Sequence, residues 1–274
     1  MLASEIHFPK DLAEALELIR RPGILVFAGG TGILREQGGR GISLPGEVLF
    51  VREIPELRRT SLTERFLEIG AAVTLSELIE LGETALPPLL AEAARGIGTT
   101  ALRNLATIGG NVASRERFMD CWPALACLDG LVEFRDRGGA TWMNANRLLG
   151  EDGKPAIPEG GLITRLRVPI ERWDAYLLRK VGPSDFPAPE TAVFAFAARA
   201  EKGILAEARI AFAGETALRS RSLESSMIGR GLPLSAREAA TIAEGYKSLA
   251  APLPEGLALQ FGVLVEGALG LLSR

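Results

Sequence analysis

The sequence predicts a mixed α+β fold in two successive parts, and three observations carry that expectation. Short apolar strands alternate with stretches in which apolar residues recur at helical spacing over the first part of the chain. A polar, turn-rich region, Glu151-Asp152-Gly153-Lys154-Pro155 followed by Pro158-Glu159-Gly160-Gly161, then interrupts the pattern. Beyond it, apolar runs come first and two long helical stretches last, so strands and helices segregate as in an α+β unit. With 274 residues, 47% of them hydrophobic, the chain is long enough for two domains with well-filled cores.

Taken in order, Asp11 to Ile19 has apolar residues at helical spacing behind the polar pair Lys10-Asp11, and Pro22-Gly23 stops it. Ile24-Leu25-Val26-Phe27 reads as a short buried strand that ends at Ala28-Gly29-Gly30-Thr31-Gly32. Val48 to Val51 reads as a second strand, giving a small βα unit over about residues 1–55. Phe66 to Ala71 is the next strand. Thr74 with Glu77 has capping-box spacing and opens a helix through Leu78 and Ile79. Leu89 to Ala94 is helical up to Gly96, Pro123 to Leu128 forms an apolar helix, and Leu131 to Phe134 and Leu162 to Val168 are strands. The first domain is expected to end near Pro169. Ala175–Lys180, Thr191–Ala200 and Ala206–Ala213 then suggest an antiparallel sheet with helices, or a mixture of the two. Helices over about Ala236–Ala250 and Leu257–Leu272 close the chain, and no internal repeat is visible.

Composition excludes several functions. A net charge of −3 without a basic stripe or arginine-rich tail argues against nucleic acid as a partner. No apolar run approaches the roughly 18 residues that span a bilayer. The start of the chain lacks a basic region followed by an apolar stretch, so a cytoplasmic location is expected. Two cysteines, Cys121 and Cys127, cannot supply the four thiolates of an iron–sulfur cluster, and they read as buried structural thiols rather than reactive ones. His7 is the sole histidine, which argues against a histidine-based zinc site or a Ser-His-Asp triad. It reads as a local polar group near the first strand. Redox chemistry here would have to be carried by an organic cofactor.

Two glycine-rich segments carry the chemistry. In Phe27-Ala28-Gly29-Gly30-Thr31-Gly32-Ile33 a turn follows a strand, and absent side chains let the backbone approach a ligand. Successive N–H groups there can form a nest for phosphate oxygens. Taken alone, the segment reads first as an ordinary tight turn. It is neither a P-loop, lacking Gly-Lys-Ser/Thr, nor the G-x-G-x-x-G fingerprint. Arg103-Asn104-Leu105-Ala106-Thr107-Ile108-Gly109-Gly110-Asn111-Val112 again pairs a threonine with adjacent glycines. Two such nests are expected to cradle both phosphates of a dinucleotide without a cationic side chain.

Together these motifs resemble the FAD-binding subunits of the molybdenum hydroxylase family, the xanthine dehydrogenase and carbon monoxide dehydrogenase group. The likeness runs through Phe8-Pro9, Ile54-Pro55-Glu56-Leu57, Ile69-Gly70-Ala71-Ala72-Val73-Thr74, Pro123-Ala124-Leu125 and Tyr176-Leu177-Leu178-Arg179-Lys180-Val181-Gly182. It implies a two-subdomain FAD-binding domain of the PCMH type over residues 1–169, with subdomains of about 1–55 and 56–169. A smaller α+β C-terminal domain of the CO dehydrogenase flavoprotein type would follow over residues 170–274.

By that resemblance Phe27, Ala28, Gly29, Gly30, Thr31, Gly32 and Ile33 wrap the FAD pyrophosphate, and Thr107, Ile108, Gly109, Gly110 and Asn111 form the second phosphate-binding segment. Asp120 stands where the family contacts FAD hydroxyls, although its position also suits an N-cap for the helix that follows. Ile163 matches an apolar residue beside the cofactor and reads equally as core. Lys180 matches a lysine near the FAD and reads equally as an exposed strand lysine.

Several positions depart from the pattern. Gly32 replaces a polar or acidic residue, Ser114-Arg115-Glu116-Arg117-Phe118-Met119 a small proline-containing stretch, and Pro183 an arginine. The last helix lacks a Tyr-Arg pair, and a Cys-rich insertion found in some relatives is absent. The resemblance further implies an electron relay. Electrons would reach FAD from two [2Fe–2S] clusters of a partner subunit fed by a molybdenum cofactor-binding large subunit, and leave to NAD or another acceptor. No residue here would then act as general acid or base. A stand-alone FAD-dependent oxidoreductase, and a cofactor-free scaffold that has kept the fold, are the alternatives.

Overall fold

Three sheets, each backed by helices, succeed one another along the chain. The computed structural model describes residues 5–37, 43–44, 46–115, 117–152, 155–158, 160–183 and 188–273. The N-terminal Met1–Ser4, Gly153, Lys154 and Glu159 of the turn-rich region, and Glu116, lie outside the described residues.

The first unit comprises β1 (Glu5–His7), α1 (Leu12–Leu18), β2 (Leu25–Phe27), α2 (Thr31–Glu36) and β3 (Glu47–Phe50). Asp11 caps α1 by accepting from Glu14 N at 2.8 Å, and Gly23, at φ +77°, makes the turn that starts the next strand. The three strands pair in parallel in the order β1-β3-β2. Their core, Leu12, Ala15, Leu49, Val51, Ile54 and Leu57, also takes in Ala72 and Leu162 from the next unit.

The second unit holds β4 (Thr60–Leu62), β5 (Phe66–Gly70), α3 (Leu75–Glu80), α4 (Pro88–Arg95), α5 (Thr100–Arg103), α6 (Ile108–Val112), α7 (Cys121–Cys127), β6 (Leu131–Asp136), β7 (Gly139–Asn144) and β8 (Leu162–Pro169). Thr74 and Glu77 form the predicted capping box. The strands lie in the order β4-β5-β8-β6-β7, all antiparallel. Strand β8 alternates buried and half-buried residues along its length, as a one-sided strand does.

The third unit is β9 (Ala175–Val181), β10 (Ala192–Glu201), β11 (Ile204–Ala213), β12 (Ala217–Leu218), α8 (Arg221–Met227), α9 (Ala236–Leu249) and α10 (Glu255–Leu271). Its sheet is antiparallel, ordered β12-β11-β10-β9, which resolves the open choice for this region. Residues 192–198 are buried on both faces of β10. Phe194, Phe196 and Phe212 pack under Tyr246 and Phe261 of α9 and α10. Val193, Ala195, Ala197, Ala211 and Ala213 point the other way, into the core that contains α7. The α+β expectation is met. The segments absent from the sequence reading are β1, β4, β7, β12, α2, α5, α6 and α8, all short.

Candidate functional site

The first glycine segment folds as a strand end, a turn and a helix start. Phe27 tucks its ring beneath the turn, stacked on Phe50 with centroids 6.0 Å apart. A Cβ on Gly30 would lie 2.2 Å from that ring, and Gly30 sits at φ +70°, so glycine is required there twice over. Gly29 is pressed against the second segment: a Cβ on it would lie 1.9 Å from the Leu105 carbonyl oxygen. Arg52 reinforces this contact by donating to Asn104 O at 3.0 Å. The two segments, some 75 residues apart in sequence, therefore meet backbone to backbone.

The first segment keeps its donors open. No side chain caps α2, and among the described residues no backbone acceptor takes the N–H groups of Gly29, Gly30, Thr31, Gly32 or Ile33. Gly32 is exposed, and a Cβ there would meet nothing within 4 Å. Ala28 and Ile33 are half-buried on either side.

The second segment corrects the expectation of a matching nest, because its donors are spent on the fold. Ile108 N donates to Val73 O at 3.0 Å, Gly109 N to Ala71 O at 2.9 Å and Asn111 N to Thr107 O at 2.9 Å. Gly110 N donates to Thr107 Oγ1 at 3.1 Å, the N-cap bond of α6. Ile108 and Gly109 are buried, and a Cβ on Gly109 would strike Ala71 at 2.5 Å. What the segment presents is the exposed, side-chain-free backbone of Gly110.

Asn111 serves the next helix: its Oδ1 accepts from Cys121 N at 3.2 Å and so caps α7 from a distance. Asp120 does not take the N-cap role weighed for it, since it stands in right-handed helical backbone without a side-chain cap bond. Its Oδ2 instead accepts from Lys180 Nζ at 2.7 Å, with both side chains mostly buried. Two residues singled out separately are thus one ion pair joining α7 to β9, and Lys180 is not an exposed strand lysine. Ile163 lies beside Thr164, whose carbonyl accepts from Ala71 N, and its side chain packs against the central core.

The departing stretch, over its described residues, is a structural joint. Phe118 N donates to Gly214 O at 2.8 Å, and the Phe118 ring packs on Trp122 with centroids 4.3 Å apart. Arg35 at the end of α2 reaches Met119 Sδ at 4.0 Å. Arg117, not singled out from the sequence, is buried and bonds to the carbonyls of Ala188 and Thr191. Its only sequence signal was that the stretch replaces small residues. Cys121 and Cys127 are free and fully buried, as expected, and burial pushes both thiols up, Cys127 to about 12.

FAD fits this arrangement. The open N–H row at Gly29–Ile33, the bare backbone of Gly110 and the contact between the two segments provide the closely approachable polar surface that a pyrophosphate needs.

The xanthine dehydrogenase FAD-binding subunit of Escherichia coli O157:H7 is 26% identical over 259 residues, covering 90% of this chain and 86% of its own. The nicotinate hydroxylase hnxS of Emericella nidulans is 25% identical over 182 residues, 61% of this chain; the match spans only 13% of that protein. The aldehyde oxidase 2 of Cavia porcellus is likewise matched over 13% of its length. Among solved structures, a chain of the Cu,Mo-CO dehydrogenase superposes with a TM-score of 0.84 at 23% identity, over 100% of this chain and 99% of that one, a likeness of fold. Residues 2–171 match the family described as the FAD binding domain in molybdopterin dehydrogenase, and the chain belongs to that family.

Proposed function

We propose that this chain is the flavin relay of a multi-subunit molybdenum hydroxylase in the cytoplasm. It would take electrons from two [2Fe–2S] clusters of a partner subunit, pass them through FAD and release them to NAD or another acceptor. Substrate oxidation would lie on a molybdenum cofactor-binding large subunit. FAD supplies the coupling, since a flavin accepts electrons singly or in pairs. The chain's own residues hold and orient it. Phe27–Ile33 receive the pyrophosphate, the Thr107–Asn111 segment supports it through Gly110, and Asp120 with Lys180 offers a charged pair for the remaining polar groups. Ile163 backs the site from β8.

The observation that carries this reading is the open N–H row of Gly29–Ile33 seated on the second segment through Gly29. Among the described residues no helix is long and apolar enough to cross a membrane. The decisive experiment is purification with and without added FAD, followed by affinity capture from the native host. A yellow protein stabilised by FAD and co-purifying with an iron–sulfur and a molybdenum subunit is expected. A colourless protein whose melting temperature ignores FAD would refute the reading, and FAD binding without those partners would favour a stand-alone flavoenzyme.

A further inference from the structure

Helix α10 is apolar on both sides. Leu257, Phe261, Val265, Ala268 and Leu269 are buried in the core of the third unit. On the outer side Leu259 is 70% exposed and Val263 61%. A helix that is apolar all round is normally covered all round. The same outer side carries Gly256, Gly267 and Gly270, and a Cβ on any of them would meet no atom within 4 Å. Glycine weakens a helix interior, and here the packing of this chain does not require it. Bare glycines beside exposed apolar knobs suit the close approach of another backbone.

The order of these residues says which backbone. Val263 is the midpoint of α10, which runs from Glu255 to Leu271. Three residues either side of it stand Gln260 and Glu266, four either side Leu259 and Gly267, and seven either side Gly256 and Gly270. A second copy laid antiparallel across a two-fold axis at Val263 therefore sets each Leu259 against the bare Gly267 of the other. The same axis sets Gly256 against Gly270, and the Gln260 amide against the Glu266 carboxylate, which it can reach as a donor. No charged side chain stands on the axis. Glu266 lies at the rim, 3.6 Å from Lys247 of its own α9. Such self-complementarity, in which one residue meets a second and the second meets the first, is the mark of a two-fold interface.

We propose that the outer face of α10 is a dimerisation surface whose partner is a second copy of this chain, paired antiparallel through Val263. The two helices overlap along their whole length of about 25 Å. The pairing uses no residue of the flavin site, so a protein that failed to bind FAD would leave it standing.

The test takes the purified full chain. A single helix pair makes a small interface, below about 1,200 Å², of the size found in weak complexes, so sedimentation equilibrium should span about 1 µM to 1 mM. A monomer–dimer equilibrium is expected, and Gly267→Leu, which fills the hole for Leu259, should raise its dissociation constant at least tenfold, about 1.4 kcal/mol. Cysteine pairs then check the register, with copper phenanthroline in air as oxidant; Cys121 and Cys127 are fully buried and stay out of the reaction. Val263→Cys should link to itself, because a disulfide needs Cα atoms within about 7 Å. Leu259→Cys alone should not, since its two copies would lie about 12 Å apart along the axis. A mixture of Leu259→Cys with Gly267→Cys should link. A monomer at every concentration, a dimer indifferent to Gly267→Leu, or linking at Leu259 alone in place of Val263 would each overturn the proposal. So would protection of Val263→Cys only in a complex with different subunits, which would give this face to one of them. The cysteine variants add no bulk, so they decide the matter should Gly267→Leu misfold.

Discussion

Replacing Gly29 with alanine tests the contact on which the site is built. The added methyl would lie 1.9 Å from the Leu105 oxygen and 2.7 Å from its carbonyl carbon, both backbone atoms that cannot rotate away. The two segments must separate by about 1 Å or more to reach ordinary contact. Overpacking of this kind costs about 1–3 kcal/mol, which for a chain of this size lowers the melting temperature by roughly 3–10 °C. A cofactor spanning both segments should bind about tenfold more weakly for each 1.4 kcal/mol needed to bring them back together. Differential scanning calorimetry and quenching of FAD fluorescence measure the two effects. Gly32→Ala provides the contrast, because a Cβ there meets nothing within 4 Å. It should leave the FAD-free protein as stable or slightly more so, by up to about 1 kcal/mol, and weaken FAD alone. An unchanged melting temperature and FAD affinity in Gly29→Ala would refute the contact. Unchanged affinity in Gly32→Ala would remove Gly32 from the FAD site.

Three further outcomes follow from the structure. Thr107→Val removes the N-cap bond to Gly110 and should cost about 1 kcal/mol, read as a lower urea midpoint; an unshifted midpoint would count against the cap. Glu133 is buried, which pushes its carboxyl up, but bonds from Arg165 and Thr164 outweigh burial and hold it down at about 2 against an ordinary 4.5. Its folded value lies below its unfolded one, so its stabilisation is full above pH 4.5 and is lost as pH falls toward 2. The stability gap between wild type and Glu133→Gln should narrow over that window, and a constant gap would refute it. Cys121 and Cys127, buried with raised thiols, should both resist a thiol reagent at pH 8 until the protein unfolds; rapid labelling of either in the native state would contradict their placement.

Much of the fold was legible because it rests on local signals. The Thr74–Glu77 capping box, the Pro22-Gly23 stop and the apolar alternation of β8 each involve residues within a few positions of one another. Short edge strands such as β4, exposed along its whole length, carry no apolar pattern to read. Helix α2 was missed because its first turn contains a glycine and follows another, which locally reads as loop. The site divides the same way. The openness of Gly29–Ile33 follows from sequence, whereas the donors of Ile108 and Gly109 are taken by Val73 and Ala71, more than thirty residues upstream. No local pattern announces that. Asp120 and Lys180 were each singled out by resemblance, but their pairing depends on how α7 meets β9. Arg117 was visible only as a misfit, because its partners Ala188 and Thr191 lie some seventy residues downstream.

The two-faced β10 and β11 strands bear on how such a protein can be inherited. Their alanine side shares one core with α7, while their phenylalanine side belongs to α9 and α10. A recombination event joining the first 169 residues to the tail of a distant relative would mate that helix with a foreign surface. Arg209 and Arg219 sharpen the constraint, since they reach back to the carbonyls of Cys127 and Ala126 at the end of α7. Helix α7 and the third sheet should therefore vary together, and chimeras joined at the turn-rich seam should fold only when both come from one parent.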